Sequence, residues 1–263
     1  MKRTSQLTFC AVFFLVFGVI AGCGGGSEQS TDDAALQEQF AGVQEAYDAL
    51  TQFRTDVETG NATVAELEAV KESDRTDEQK AQLEEAVAAV EAANGQLEDS
   101  YNTLQERLAE FLTVGLNDAP ESELTARALE IYSKEAILGA EEKVQKAGDY
   151  SKAIDQVQSA KSYYEAIGLT PYAALDEKIA ELESWRFITP ERFDAIKKGM
   201  TRDEVIEIVG VPYYQNILED EAKGIETWLY KKAEGGASAI YFKTKTGKAY
   251  DKNADAVKTR VVE

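Results

Sequence analysis

The alternation of apolar and polar positions divides the chain into five stretches. Residues 9–20 are almost unbroken apolar sequence behind Lys2 and Arg3, with small Ala21 and Gly22 after them. Residues 23–32 are Gly, Ser and polar with no apolar period, which predicts a flexible tether reaching on the order of 17 Å as a random coil. From residue 33 the spacing turns helical: Leu36, Phe40, Val43, Tyr47 and Leu50 form one stripe, and Phe53 and Val57 continue it with a slight shift. Gly60-Asn61 predicts a break, after which Thr63 and Glu66 read as a capping box opening a short helix. Thr76 and Gln79 make a second box at the head of the longest stripe: Leu83, Val87, Val90, Asn94, Leu97, Tyr101, Leu104, Leu108 and Phe111. Such stripes pair as an antiparallel hairpin or coiled coil, assigned here to residues 33–118. Asn94 either fixes the register of that seam or sits at a solvated edge beside Gly95.

Residues 119–185 continue helical. Pro120 suits a first helical turn, where its missing N–H is no loss, and Leu124, Ala128, Ile131, Ala136 and Leu138 follow at helical spacing. Gly148 marks a turn, and after Thr170-Pro171 another helix is expected with Tyr172, Leu175, Ile179 and Leu182 on one face. The pattern changes again past Trp185. Thr189 and Pro190 open a helix expected to end at Lys197-Lys198 with a left-handed Gly199. Thr201 and Glu204 make a third capping box, Val205, Ile208 and Val209 an apolar stripe, and Gly210 and Pro212 a stop. Strand-like runs follow at 213–218, 226–232, 238–244 and 248–251, separated by Gly-containing turns. The pattern predicts a mainly α part, built of long antiparallel helices and a helical bundle, followed by a small α+β domain of two helices and an antiparallel meander.

Charge sharpens that division. Residues 23–185 hold 12 Lys/Arg against 35 Asp/Glu, whereas residues 186–263 hold 14 against 13, which places a domain boundary near Trp185. The excess acid reads as solvated helix surface and disfavours nucleic acid as a partner. The chain has no histidine, and its two cysteines are Cys10, inside the apolar run, and Cys23. No disulfide, no histidine-based zinc site and no Ser-His or Cys-His nucleophile can therefore be built from residues 24–263. Asp203 and Glu204 are the candidates for carboxylate catalysis, but adjacent helical residues do not converge and both suit a first turn. No enzyme activity, cofactor or metal is expected.

Three resemblances add to this reading. Ile20-Ala21-Gly22-Cys23, behind a basic start and a run too short to span a bilayer, is similar to the lipobox of bacterial lipoproteins. The resemblance implies cleavage before Cys23, whose sulfur then carries a diacylglycerol and whose amine usually carries an acyl chain such as palmitate. Residues 1–22 would be the signal peptide, and Gly24 after the cysteine leans toward the outer membrane. An ordinary cleaved signal with an incidental cysteine, or an uncleaved anchor, is the alternative. Residues 134–167 resemble a single degenerate tetratricopeptide unit, with Gly148 at its turn, Ala153 and Ala160 at close-packing positions, and Glu141 where that repeat has a small residue.

The third resemblance lies in residues 189–251. Gly199, Met200, Thr201, Val205, Gly210 and Pro212 follow the pattern G-M-T-x-x-x-V-x-x-x-x-G-x-P between helices and sheet, which resembles the SmpA/OmlA family of BamE-like lipoproteins. These are accessory components of the outer-membrane β-barrel assembly machinery, and the resemblance implies structural roles for the six residues. It also implies envelope proteins as partners, with the protein facing the periplasm. Lys231 and Lys243, with Lys232, Lys245, Lys248 and Lys252, cluster on the expected sheet near Tyr213, Tyr214, Trp228 and Tyr241. They form either a partner or anionic-lipid surface, or edge lysines that block aggregation over ordinary core aromatics. The expected function is a non-catalytic interaction or scaffold lipoprotein of the outer membrane, in protein assembly there. The alternative is an inhibitor or ligand-binding module that acts on a periplasmic protein through the sheet.

Overall fold

A computed structural model describes residues 29–258. The lipobox, Ile20 to Cys23, lies outside the described residues, as do residues 24–28 of the expected tether. The chain divides into two compact units, Met1–Gly115 and Leu116–Glu263.

The first unit is a helical hairpin. Helix α1 (Gln29–Ala69) and helix α2 (Asp77–Asp118) have 41 and 42 residues, each about 60 Å long. Phe40 meets Phe111 edge to face at 5.5 Å, and Gly60 lies against Val90, so the helices run antiparallel about a turn near Arg75. Leu36, Phe40, Val43 and Leu50 of α1 and Leu104, Leu108 and Phe111 of α2 are buried. Toward the turn the seam narrows to half-buried Phe53, Val57, Leu67, Leu83, Val90 and Leu97. Asn94 is half-buried in line with Val90 and Leu97, so it sits in the seam. Arg75 terminates α1 by donating from Nε to the Leu67 carbonyl and from a terminal nitrogen to that of Glu68, each at 3.0 Å. That places a cation on the negative end of the helix dipole. Thr76 and Gln79 form the expected capping box (3.0 and 3.2 Å).

Three expectations in this unit need correction. The tether stops short of residue 32, because α1 already begins at Gln29. Gly60-Asn61 does not break the helix, and Thr63 is no cap: its hydroxyl donates back to the Thr59 carbonyl inside α1 (3.1 Å). The reason is the seam. A Cβ at Gly60 would stand 2.5 Å from Val90 Cγ2, so glycine here permits close approach of two helices.

The second unit begins with helices α3 (Glu123–Ala147), α4 (Tyr150–Ala166) and α5 (Ala173–Arg186). Ser122 caps α3, so Pro120 lies in the turn before that helix and not in its first turn. Gly148 adopts φ 62° at the end of α3, and the Asp149 carboxylate accepts from the Lys152 N–H to start α4 (3.0 Å). Ala140, Ala153 and Ala160 are fully buried where α3 and α4 pack. Glu141, at the position where a small residue was sought, instead accepts from Lys178 of α5 (2.7 Å). The close approach is made one and two residues earlier, by Ala140 and by Gly139, whose missing side chain leaves room for Gln156.

Helices α6 (Pro190–Ala195) and α7 (Arg202–Val209) follow, then strands β1 (Ile217–Asp220), β2 (Ile225–Lys231), β3 (Ala237–Lys243) and β4 (Lys248–Val257) in a purely antiparallel meander, β1-β2-β3-β4. The mainly helical part followed by a small α+β part is the architecture expected from the pattern. Residues 214–216 form a 3₁₀ turn where strand was expected. Helix α6 stops at Ala195, because Ile196 turns extended to bury its side chain among Phe193, Val205, Trp228, Ile240 and Phe242. The charge break at Trp185 does not separate compact units: α3–α5, α6, α7 and the sheet belong to one. Charge reports which surfaces face water, whereas unit boundaries follow contacts.

Candidate functional site

The motif residues form one structural frame. Gly199, at φ 95°, donates its N–H to the Ala249 carbonyl (2.7 Å), and the Met200 carbonyl accepts from the Ala249 N–H (2.8 Å). The loop before α7 thereby joins the sheet. Met200 Sδ also accepts from the Lys197 N–H at 3.2 Å. Thr201 and Glu204 close a reciprocal capping box (3.2 and 2.7 Å), and these hydrogen bonds hold the Glu204 carboxyl below its ordinary range. Val205 is fully buried in the core.

Gly210 and Pro212 do more than stop a helix. The Gly210 carbonyl accepts from the Tyr230 hydroxyl (3.0 Å), and burial pushes that phenol well above its ordinary pKa. The Val211 N–H donates to the Tyr150 hydroxyl of α4 (3.2 Å). A Cβ at Gly210 would fall 2.5 Å from that hydroxyl, and one at Gly148 would collide with the Pro212 carbonyl. The α3–α4 turn is therefore packed against the motif loop, and the Arg192 guanidinium lies 3.8 Å over the Trp185 ring beside it.

The electrostatic centre of the module was missed in the sequence. Arg202 holds Glu226 with two hydrogen bonds (2.9 and 2.8 Å), and Trp228 Nε1 donates to the same carboxylate (2.6 Å). The Arg202 hydrogen bonds lower the Glu226 pKa against the opposing effect of burial. Arg202 and Glu226 are 24 residues apart, and no local signal links them. The arrangement pins α7 to the sheet. Glu226 is 8 % exposed with both carboxylate oxygens engaged, so it offers no free acid or base.

Trp228 is therefore not part of a partner surface. It is 4 % exposed and points into the core, like Tyr230, Ile240 and Phe242. Strand register explains why: Trp228 pairs with Ile240, and Tyr230 with Ser238, so Tyr241 must face the other way. That other face carries no helix of the core cluster. It presents Leu218 (51 % exposed) opposite Thr227, Tyr241 opposite Thr227 and Asp251, and Leu229 opposite Ala239. Lys231, Lys243 and Lys248 share this face by parity. Tyr250 is the extra residue at the β3–β4 irregularity and turns back onto it, its ring 6.2 Å from Tyr241 and 4.2 Å beneath the Lys243 ammonium.

The remaining candidates sit apart. Tyr213 is half-buried and Tyr214 is 54 % exposed, their rings edge to face at 4.9 Å at the entry to β1. Lys232 pairs with Asp255 (2.6 Å), and Lys252 donates to the Phe193 carbonyl (2.6 Å), so both are engaged inside the fold. Burial lowers the Lys252 pKa. Leu218, Leu229 and Tyr250 were not among the sequence candidates. Alternation around Trp228-Leu229-Tyr230 could have placed Leu229, but the β-bulge that swings Tyr250 onto the outer face has no sequence mark.

Among the described residues no group of three metal-ligating side chains converges, and no helix is long and apolar enough to cross a membrane. No family model, no curated protein and no solved structure matches the chain.

Proposed function

We propose that the protein is a lipid-anchored, non-catalytic component of the bacterial outer membrane that faces the periplasm and works through protein contacts, in the assembly of outer-membrane proteins. Cys23 carries the anchor, and the second unit supplies the contact surface. The observation that carries this reading is the outer face of the sheet. Leu218, Leu229, Tyr241 and Tyr250 are held there on a rigid framework while the polar groups beneath them are mutually satisfied. Aromatic and aliphatic side chains on a rigid support lose little entropy on binding, which suits recognition rather than chemistry.

A photo-crosslinking residue at position 218 or 241 in living cells tests it. Envelope proteins captured at these positions, and not from exposed positions on α5, are the expected result; capture of nothing at either position counts against the reading. The anchor is tested separately. Labelled fatty acid should enter the wild-type chain and not the Cys23→Ser variant, which should also leave the membrane fraction.

The second reading, an inhibitory or ligand-binding module, is favoured by the exposed Tyr213–Tyr214 pair beside β1. It calls for tight one-to-one binding to a periplasmic protein that Tyr214→Ala abolishes and Tyr241→Ala leaves intact.

A further inference from the structure

Where β4 passes the C-terminal end of α6, three lysines border one surface cavity of about 370 Å³. The way α6 ends creates the arrangement. Ile196 turns extended into the core, so the last carbonyls of a six-residue helix are left without helical partners. Lys252 pairs with Ile240 on the inner side of the sheet. It donates to the Phe193 carbonyl (2.6 Å) and the Asp194 carbonyl (3.3 Å), with its ammonium 4.5 Å from the centre of the Phe193 ring. Lys197 donates to that same Asp194 carbonyl (3.0 Å). The hydrogen bonds of Gly199 and Met200 to Ala249 fix the 197–200 loop along β4, so the lysines are held around the cavity by the fold.

Capping so short a helix takes one cation, because few carbonyls need donors and the dipole is small. The second ammonium brings a like charge onto the same oxygen, which is unfavourable unless an anion joins the two. None of Lys197, Lys198 and Lys252 is ion-paired with a carboxylate among the described residues, whereas Lys161, Lys178, Lys223 and Lys232 each are. Asp251 also borders the cavity, but its carboxylate already accepts from the Lys252 N–H (2.9 Å). Burial lowers the Lys252 pKa, the Asp194 carboxylate offsets only part of that, and the Lys197 charge adds to it. Each ammonium has three donors, of which Lys252 leaves one unused, Lys197 two and Lys198 all three. No arginine lines the cavity, so there is no planar fork to match a carboxylate. Lysines act as point charges, which suit the several equivalent oxygens of a phosphate. The volume is that of a small-molecule site, with Ile196, Ala249 and the Tyr250 ring as its apolar wall. We propose that this cavity binds a phosphomonoester, its dianionic phosphate held by Lys197, Lys198 and Lys252 and its carbon-bearing end against Tyr250. The site is separate from the protein contacts proposed above and does not rest on them.

The test is titration calorimetry of the full chain in non-ionic detergent with glycerol 3-phosphate, at about pH 7.5, where the phosphate carries close to two charges. Expected is one site with a dissociation constant on the order of 0.1–1 mM at low salt, weakened several-fold in about 0.5 M salt. Dimethyl phosphate, a singly charged diester, should bind at least tenfold more weakly. Lys197→Gln and Lys198→Gln, both at exposed positions, should each weaken binding several-fold, and together they should abolish it. Lys252→Gln should also abolish it, but that variant loses a cap on α6, so the two exposed lysines carry the test. Lys245→Gln removes the same charge from the β3–β4 turn, outside the cavity, and should leave the affinity unchanged. Phosphatidic acid added to the micelles separates two sources of the same group. Displacement of glycerol 3-phosphate assigns it to a lipid headgroup, its persistence to a soluble ester, and either supports the site. No binding at about 10 mM glycerol 3-phosphate overturns the proposal. So does binding that survives the paired Lys197→Gln, Lys198→Gln change, an equal loss in Lys245→Gln, or equal affinity for dimethyl phosphate.

Discussion

The hairpin and the second unit hold themselves together in different ways. The hairpin relies on one long seam with periodic apolar contacts, with local hydrogen bonds such as the Thr76–Gln79 box and Arg75 on the end of α1 closing its turn. The second unit depends on a few long-range polar nodes joined to its core: Arg202–Glu226–Trp228, Tyr230 on Gly210, and Tyr150 on Val211. The difference teaches where each unit is vulnerable. Damage to a seam is spread over its length, whereas damage at a node leaves a buried polar group without a partner. Both tryptophans, Trp185 and Trp228, lie in the second unit. Tryptophan fluorescence therefore follows that unit, while helical circular dichroism also registers the hairpin.

The sharpest break is expected from Gly210→Ala. Its φ of 83° and the Tyr150 hydroxyl 2.5 Å from a Cβ combine backbone strain with a clash, for a loss of about 3 kcal/mol. Urea unfolding followed by fluorescence should show it, with the hairpin's transition unchanged. Next is Glu226→Gln, which leaves the Arg202 charge half-paired in a mostly covered site and costs about 2 kcal/mol.

The same carboxylate makes the comparison pH-dependent. Its pKa is lowered in the folded state, so its contribution is fully present above the unfolded value of about 4.3 and is lost as pH falls through the lower folded value. The fluorescence midpoint should therefore drop as pH is lowered from about 5 to 3, and more steeply in wild type than in Glu226→Gln. Equal slopes would exclude Glu226 as the source.

Smaller effects separate two glycines within the hairpin. Gly60→Ala must push against Val90 and should cost about 1 kcal/mol despite alanine's better helix propensity. Gly95→Ala meets nothing within 4 Å and should stabilise α2 by about 0.5–1 kcal/mol. Thermal unfolding followed by circular dichroism distinguishes them by sign. Two glycines that respond alike would mean that the seam is looser than Gly60 against Val90 implies.

Much of the fold was legible because its signals are local. The capping boxes at Thr76 and Thr201, the turn at Gly148 and the β-meander follow from residues within a few positions of one another. The candidate surface was legible only in part. Tyr241, Lys231 and Lys243 share the outer face, but Trp228 belongs to the core, and Leu218 and Tyr250 join the face through pairing register and a bulge. Gly60 misled for a related reason: by propensity it ends a helix, and only the opposing Val90 shows why it does not.

What the amino-acid sequence determined by itself is the order and type of the elements and where most of them start and stop, because capping, periodicity and turn geometry act over one or two turns of chain. Tertiary structure alone decided which face of the sheet is open, which glycines separate helices from neighbours, and that α3–α5 and the α+β module form one unit. Those outcomes depend on pairs such as Tyr150 with Val211 and Arg202 with Glu226, 61 and 24 residues apart. Their energy exists only once the chain has brought them within reach of a hydrogen bond.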